Sequence, residues 1–339
     1  MRASEILIIP IFIPHNGCPY RCVFCSQTDI TGVQYKADKE YVFDVLKTYL
    51  GSNLDLDHAS GICEVAFYGG SFTGLPKRRQ ELLLSTIKPL FEIGRINSIR
   101  VSTHPLLIDC DRLDLIKAYN VKTVELGVQS TNKEILDASG RPCSIEEIFR
   151  SISLIKEHNF TLGLQLMLGL PGDSESRFMR SVKDVISMKP NFVRLYPTLI
   201  LRHTKLYSMY KRGLYLPWSL DKTLKALKKA VRLFNEHSIP VIRVGVHPDP
   251  SLHKNLVAGP FHPSLRYLVD CLLCQDLMVS KIRSLAFIPQ KITFKVPRKM
   301  LSVFIGNRRE NIRYIKDLFG FKEVSLIGED FCKDVEMVT

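Results

Sequence analysis

Seven short, apolar, β-branched runs alternate with six longer amphipathic stretches along most of this 339-residue chain, which predicts an α/β protein with a parallel sheet. So many βα units exceed a small open sheet and suit a barrel or partial barrel. The alternation fades after about Pro248, and from about Lys291 a small C-terminal α/β extension is expected. The length agrees with one large domain plus an appendage, divided as residues 1–265 and 266–339.

The expected strands are Ile6–Ile13, Glu64–Tyr68, Ser98–Ser102, Lys122–Val128, Thr161–Leu168, Phe192–Tyr196 and Pro240–Val246. Between and after them, Asp38–Leu50, Lys77–Phe91, Asp111–Ala118, Ile145–His158, Ser174–Met188 and Leu220–His237 carry helical spacing, with Asp or Ser at several starts. In the extension, Lys291–Val296 reads as a strand, Glu310–Leu318 as a helix closed by Gly320, and Glu323–Ile327 as a second strand.

With 45% hydrophobic and 24% charged residues the chain can bury a core, which excludes a disordered or fibrous protein. The apolar start is interrupted by Pro10 and Pro14, is too short to span a bilayer and is followed by no small-residue cleavage site, so a cytoplasmic protein is expected. A formal charge of +13 favours polyanionic partners, nucleic acid above all. Much of the excess is local. Residues 291–322 hold nine Lys and Arg against two acids, a net of +7.

Nine cysteines without a secretion signal point to metal or redox chemistry rather than to a disulfide framework. Three of them, Cys18, Cys22 and Cys25, fall within eight residues directly after the first strand. Chance would place this spacing with an expectation of about 0.006, so coincidence is a poor explanation. Three thiolates are too few to close a structural zinc site unless a fourth ligand such as His15 joins them. A cubane iron–sulfur cluster on three cysteines would instead leave one iron open for a substrate or cofactor. Cys271-x2-Cys274 lies in a helical stretch and, like Cys63, Cys110, Cys143 and Cys332, is read as packing.

Cys-x3-Cys-x2-Cys with Phe24, a candidate cofactor-binding residue, before the last cysteine resembles the signature of the radical S-adenosylmethionine (SAM) superfamily. The resemblance implies a partial (β/α)6 TIM-like barrel of the radical SAM type and a [4Fe–4S] cluster on Cys18, Cys22 and Cys25, whose fourth iron chelates S-adenosylmethionine. One electron from an unidentified donor would then release a hydrogen-abstracting 5′-deoxyadenosyl radical. Further residues follow from the resemblance. Gly69 and Gly70 match the glycine pair that contacts the methionine amino group, with Ser71 where relatives carry an acid. Ser102 stands where relatives place a ribose carboxylate. Gln129 and Arg141 match residues that hold the cofactor's carboxylate or ribose, Gln165 lies near the ribose, and Gly169 opens the turn that passes the adenine.

Pro14–Pro19, Tyr68–Gly74 and Val124–Ser130 resemble the branch containing the radical domain of the elongator catalytic subunit, with oxygen-independent coproporphyrinogen oxidases as more distant cousins. The resemblance covers about residues 6–265, and no acetyltransferase domain is expected in this chain. It implies action on transfer RNA. Phe304–Ile315 looks like the glycine loop and following helix of a KH RNA-binding module, with Arg309 where that loop carries a second glycine, so Lys299, Arg308, Arg309 and Arg313 are candidate RNA contacts. Two alternatives stand beside this reading: a radical SAM oxidoreductase acting on small molecules or tetrapyrroles, and a metal-containing RNA-binding protein without turnover.

Overall fold

The computed structural model describes residues 6–32, 37–51, 62–330 and 335–338. The described residues fall into two compact units, one of 1–219 with 234–261 and the other of 220–233 with 262–339.

The first unit is built on a parallel sheet whose strands lie in chain order. They are β1 (Ile6–Phe12), β2 (Ile62–Tyr68), β3 (Ser98–Thr103), β4 (Val121–Gln129), β5 (Thr161–Leu168) and β6 (Phe192–Pro197), then β8 (Val241–Val244) beside β6. All seven expected strands are present, one more than a six-stranded partial barrel needs, and the sheet curls into a half-barrel. A short antiparallel pair, β7 (Ile200–Leu201) with β9 (Leu256–Ala258), stands apart from it.

The helices of this unit are α1 (Gln27–Thr31), α2 (Lys39–Leu50), α3 (Lys77–Glu92), α4 (Cys110–Ala118), α5 (Lys133–Ala138), α6 (Ile145–Glu157), α7 (Glu175–Ser187), α8 (Lys205–Lys211) and α10 (Pro250–Asn255). Their starts are chemically specified. Asp38, Asp109, Ser144 and Ser174 each accept a backbone N–H of the first turn, and at α6 Glu147 completes a capping box with Ser144. Asp109 rather than Asp111 caps α4, which moves that helix one residue earlier than the periodicity suggests. Phe178, Val182 and Val185 of α7 are buried, and α7 packs on β5; each such side chain contributes roughly 1.5–3 kcal/mol. The five-to-seven-residue helices α1, α5, α8 and α10 escape the periodicity because each is shorter than two turns.

The helix α9 (Leu220–Glu236) follows α8 in the chain, and most of it belongs to the second unit, along with α11 (Leu265–Arg283), α12 (Leu301–Ile305) and α13 (Glu310–Phe319). A three-stranded sheet completes this unit. In it β10 (Lys291–Pro297) pairs parallel with β11 (Glu323–Glu329) and antiparallel with β12 (Glu336–Val338). Its core gathers Met278, Ile282, Phe294, Phe304, Ile315 and Phe321. Gly320 closes α13 in the left-handed conformation, as its sequence position implies.

Cys63, Cys143, Cys271 and Cys274 are buried, as packing residues should be. Cys110 is not. It opens α4 behind the Asp109 cap and is exposed, which corrects its reading as a packing residue. Cys332 lies outside the described residues. No helix among the described residues is long and apolar enough to cross a membrane.

Candidate functional site

Inside the half-barrel, midway along the strands, lies an ionic network. Arg100 of β3 donates to Glu64 of β2 through Nη2 (2.6 Å) and Nε (2.9 Å), and to Glu125 of β4 through Nη1 (2.7 Å). Glu125 is fully buried, and its other oxygen lies 3.0 Å from Nε of Arg194 and accepts from Gln165 Nε2 at 2.9 Å. Arg194 also donates to the Tyr68 hydroxyl at 2.7 Å. Burial, with Glu125 nearby, pushes the Tyr68 phenol above its ordinary value, so the hydroxyl stays protonated. Two carboxylates and two guanidiniums balance, and this explains why β4 carries an acid on its inner face. Gln165, implied as a ribose neighbour, spends its amide nitrogen here.

At the carboxyl ends of the same strands the chain changes course. The cysteine loop runs from Ile13 to Ser26, between β1 and α1, and leans on the end of β2. Ile13 N–H donates to the Tyr68 carbonyl at 2.8 Å, and Ser71 N–H to the Asn16 carbonyl at 2.9 Å. A Cβ on Gly70 would collide with the carbonyls of Ile13 and Asn16, and one on Gly17 (φ 72°) with the Ser71 carbonyl. The missing side chain of Gly70 therefore serves the crossing of two backbones. That of Gly69 faces Gln27, whose Oε1 would stand 3.1 Å from a Cβ there.

Each of the three cysteines in this loop receives a donor from a different place. Ser71 Oγ lies 3.6 Å from Cys18 Sγ, Arg141 Nη1 3.6 Å from Cys22 Sγ, and Gln27 Nε2 3.3 Å from Cys25 Sγ. Burial raises the Cys25 thiol to about 12, and Cys22 adds to the rise, while the Gln27 hydrogen bond opposes it. Phe24 packs with Val23 into an apolar cluster containing Ile200, Leu206 and Tyr215. His15 is held within the loop, its Nε2 accepting from Gln27 N–H at 3.0 Å. Among the described residues no three His, Cys, Asp or Glu side chains are arranged to hold a single metal ion. A cubane cluster spreads its cysteine ligands over separate irons.

Beside this loop, four buried side-chain atoms lack any hydrogen-bond partner: Ser102 Oγ, His104 Nε2, Gln129 Oε1 and Arg141 Nε. They come from the ends of β3 and β4 and from the loop after α5. Gln129 sits at a register shift between β4 and β5 with φ 69°, a strained conformation for a non-glycine residue at a barrel rim. Arg141 is anchored through Nη2 to the Gly127 carbonyl. His104 accepts from Leu106 N–H through Nδ1 at 3.1 Å, and burial, reinforced by Arg141, lowers it to about 3. The ring is thus neutral with its proton on Nε2. Sequence reasoning passed over His104 and Gln27, because a lone His after a strand and a Gln after a cysteine carry no spacing signal.

The unmatched atoms offer donors from His104 and Arg141, an acceptor from Gln129, and a hydroxyl from Ser102. This set suits a zwitterionic ligand with a carboxylate and an amine or hydroxyl, placed next to three thiols. Those are the functional groups of S-adenosylmethionine, so the residues present fit both cofactors. Farther along the rim, Gly169 is fixed by its N–H on Asp173 (2.8 Å), with the Trp218 ring packed beside it.

The chain matches the Radical SAM superfamily over residues 12–185 and the Radical SAM C-terminal domain over residues 190–273. It is 23% identical over 264 residues to a tRNA uridine(34) acetyltransferase of Methanocaldococcus infernus, covering 67% of this chain and 49% of that protein. It is 26% identical over 205 residues to the oxygen-independent coproporphyrinogen III oxidase of Escherichia coli, covering 58% and 44%. The chain thus spans about half the length of the curated relatives it matches. The solved archaeal Elp3 of Methanocaldococcus infernus shares the fold with a TM-score of 0.61 at 20% identity, over 82% of this chain and 63% of that one. Built on a half-barrel with three thiols in the loop after its first strand, the chain belongs to the radical SAM superfamily, whose enzymes work with a [4Fe–4S] cluster and S-adenosylmethionine.

Proposed function

We propose that this protein starts a modification of RNA, transfer RNA in particular, by radical SAM chemistry. In this reading Cys18, Cys22 and Cys25 hold the cluster, while Ser102, Gln129 and Arg141, with the ends of β2 and β5 at Gly69 and Gly169, face S-adenosylmethionine. Residues 1–265 carry this chemistry, and 266–339 supply contacts to the nucleic acid. The observation that carries the reading is the cysteine loop set against four unpartnered buried polar atoms. When bound, the cluster and cofactor together supply a hydrogen-abstracting radical once one electron has arrived from a separate donor. The protein's own part is to hold the thiols on a loop braced against β2, to match the cofactor's carboxylate with Arg141, and to keep the Ser102 and Gln129 side chains in place.

The second unit supports RNA as the substrate class. Lys291, Lys295 and Arg298 are matched by Glu323, Glu329 and Asp330, whereas Lys299, just before α12, and Arg308, Arg309 and Arg313, at the turn into α13, are exposed. That turn is stiff. Asn311, buried at its base, donates through Nδ2 to the carbonyls of Cys271 (2.9 Å) and Phe304 (3.2 Å), and Arg313 donates to the Arg308 carbonyl. A rigid basic turn loses little entropy on gripping a phosphate backbone. The tRNA-acting relative supports the same substrate class.

The test is release of 5′-deoxyadenosine by anaerobically reconstituted protein given S-adenosylmethionine and a strong reductant, with and without bulk transfer RNA. Stimulation by RNA is expected, and replacing Arg308 and Arg309 with Glu should weaken RNA binding and lower its salt slope by about two. Release indifferent to RNA would move the substrate to small molecules such as tetrapyrroles. No release from fully loaded protein would leave a non-catalytic RNA-binding protein. Cys22→Ala should abolish the cluster absorption near roughly 400 nm while the barrel stays folded, because thiolate ligation anchors the cluster. Retained iron and full activity in that variant would sink the site assignment.

A further inference from the structure

We propose that Gln27, Ser71 and Arg141 act as positioning residues that raise the reduction potential of the cluster, an inference that rests on the assignment of Cys18, Cys22 and Cys25 as its ligands. The geometry is one donor for each sulfur: Gln27 Nε2 to Cys25 at 3.3 Å, Ser71 Oγ to Cys18 at 3.6 Å, and Arg141 Nη1 to Cys22 at 3.6 Å. The three donors come from separate places, the first turn of α1, the end of β2 and the loop after α5. No short sequence motif contains them together.

Each donor is itself fixed. Gln27 N–H is bound to His15 Nε2 at 3.0 Å, and Ser71 N–H to the Asn16 carbonyl at 2.9 Å. The Arg141 backbone N–H donates to the Leu136 carbonyl at 2.9 Å, and its Nη2 to that of Gly127. These bonds fix the backbone from which each donor reaches its sulfur, and at Arg141 the guanidinium as well.

The physical consequence follows from charge. Reduction adds one electron, delivered by an external low-potential one-electron donor, and neither makes nor breaks a bond at these residues. A hydrogen bond to a ligating sulfur stabilises the more negative reduced state more than the oxidised one, so the midpoint rises. Arg141 adds a full positive charge.

The experiment is an anaerobic potentiometric titration of the reconstituted full chain, monitored by electron paramagnetic resonance. It compares wild type with Gln27→Leu, Gln27→Glu and Ser71→Ala, with iron content and circular dichroism measured alongside. With about four irons retained, the midpoint should move to more negative values in Gln27→Leu and Ser71→Ala, and further still in Gln27→Glu, which sets a carboxylate against the sulfur. Unchanged midpoints in loaded variants would overturn the inference. So would variants that fold but take up no cluster, because the side chains would then be supports of the loop rather than tuners of its potential. Failure of the ligand assignment looks different: Cys22→Ala would retain the cluster, or wild type would never acquire it.

Discussion

Ser102 and Glu125 lie opposite each other in the β3–β4 ladder, and both are buried, yet their polar atoms meet opposite fates. Every carboxylate oxygen of Glu125 is engaged by Arg100, Arg194 or Gln165, whereas the Ser102 hydroxyl has no partner. The difference continues along the strands. Toward the middle of the barrel Glu64 and Arg100 complete each other, and at the rim His104, Gln129 and Arg141 keep unmatched atoms. A buried polar group without a partner carries a desolvation cost that a folded chain rarely accepts without a purpose. The inner layer therefore reads as structure and the rim as a place prepared for a ligand.

The largest effect expected from breaking this contrast is on the inner side. Glu125→Ala strips a carboxylate from two buried guanidiniums, and unfolding in denaturant should show a loss of about 3–5 kcal/mol. Arg100 would retain Glu64, but Arg194 would keep only neutral neighbours. A loss below about 1 kcal/mol would mean that water reaches the barrel interior, and the inner layer would no longer differ from the rim.

His104 gives a second effect, smaller and dependent on pH. Its folded value of about 3 lies below the ordinary imidazole range near 6.5, so the unfolded chain takes up the proton first. Its contribution to stability is complete above pH 6.5 and is lost as the pH falls toward 3. Between pH 7 and pH 4 wild type should lose about 3 kcal/mol through this group, and His104→Asn should not. Urea unfolding of the two proteins at both pH values measures the difference. Equal acid sensitivity would mean that His104 is hydrated in the folded protein and that its Nε2 is not kept for a ligand.

Much of this was legible in the sequence. Alternating patterns located the seven strands to within a few residues at either end, because strands buried in a parallel sheet are short and apolar whatever surrounds them. The cysteine spacing announced the loop, since its signal is local. What stayed hidden depends on register and on chain crossings. Nothing near Glu125 in the chain names Arg100 and Arg194 as its partners. Nothing near Gly70 in the chain announces that the carbonyls of Ile13 and Asn16 also forbid a side chain there. Gln165, which the resemblance sets near the ribose, finds its partner in Glu125 on the neighbouring strand, a pairing set by the β4–β5 register.

The smallest effect on stability, and the sharpest test of the rim, belongs to Ser102→Ala. If the hydroxyl is buried for a ligand's sake, removing it deletes an unsatisfied group and leaves nothing behind without a partner. Stability should then stay within about 0.5 kcal/mol of wild type or rise slightly. The same change should weaken S-adenosylmethionine binding to cluster-loaded protein by roughly tenfold, the worth of one hydrogen bond in a desolvated site. Equilibrium dialysis and denaturant unfolding on the same preparation separate the two. Lower stability with unchanged affinity would place Ser102 among the structural residues, on the same footing as Glu125. Unchanged stability with weakened affinity would make the two ends of one ladder rung functionally distinct, one spent on the fold and the other on the cofactor.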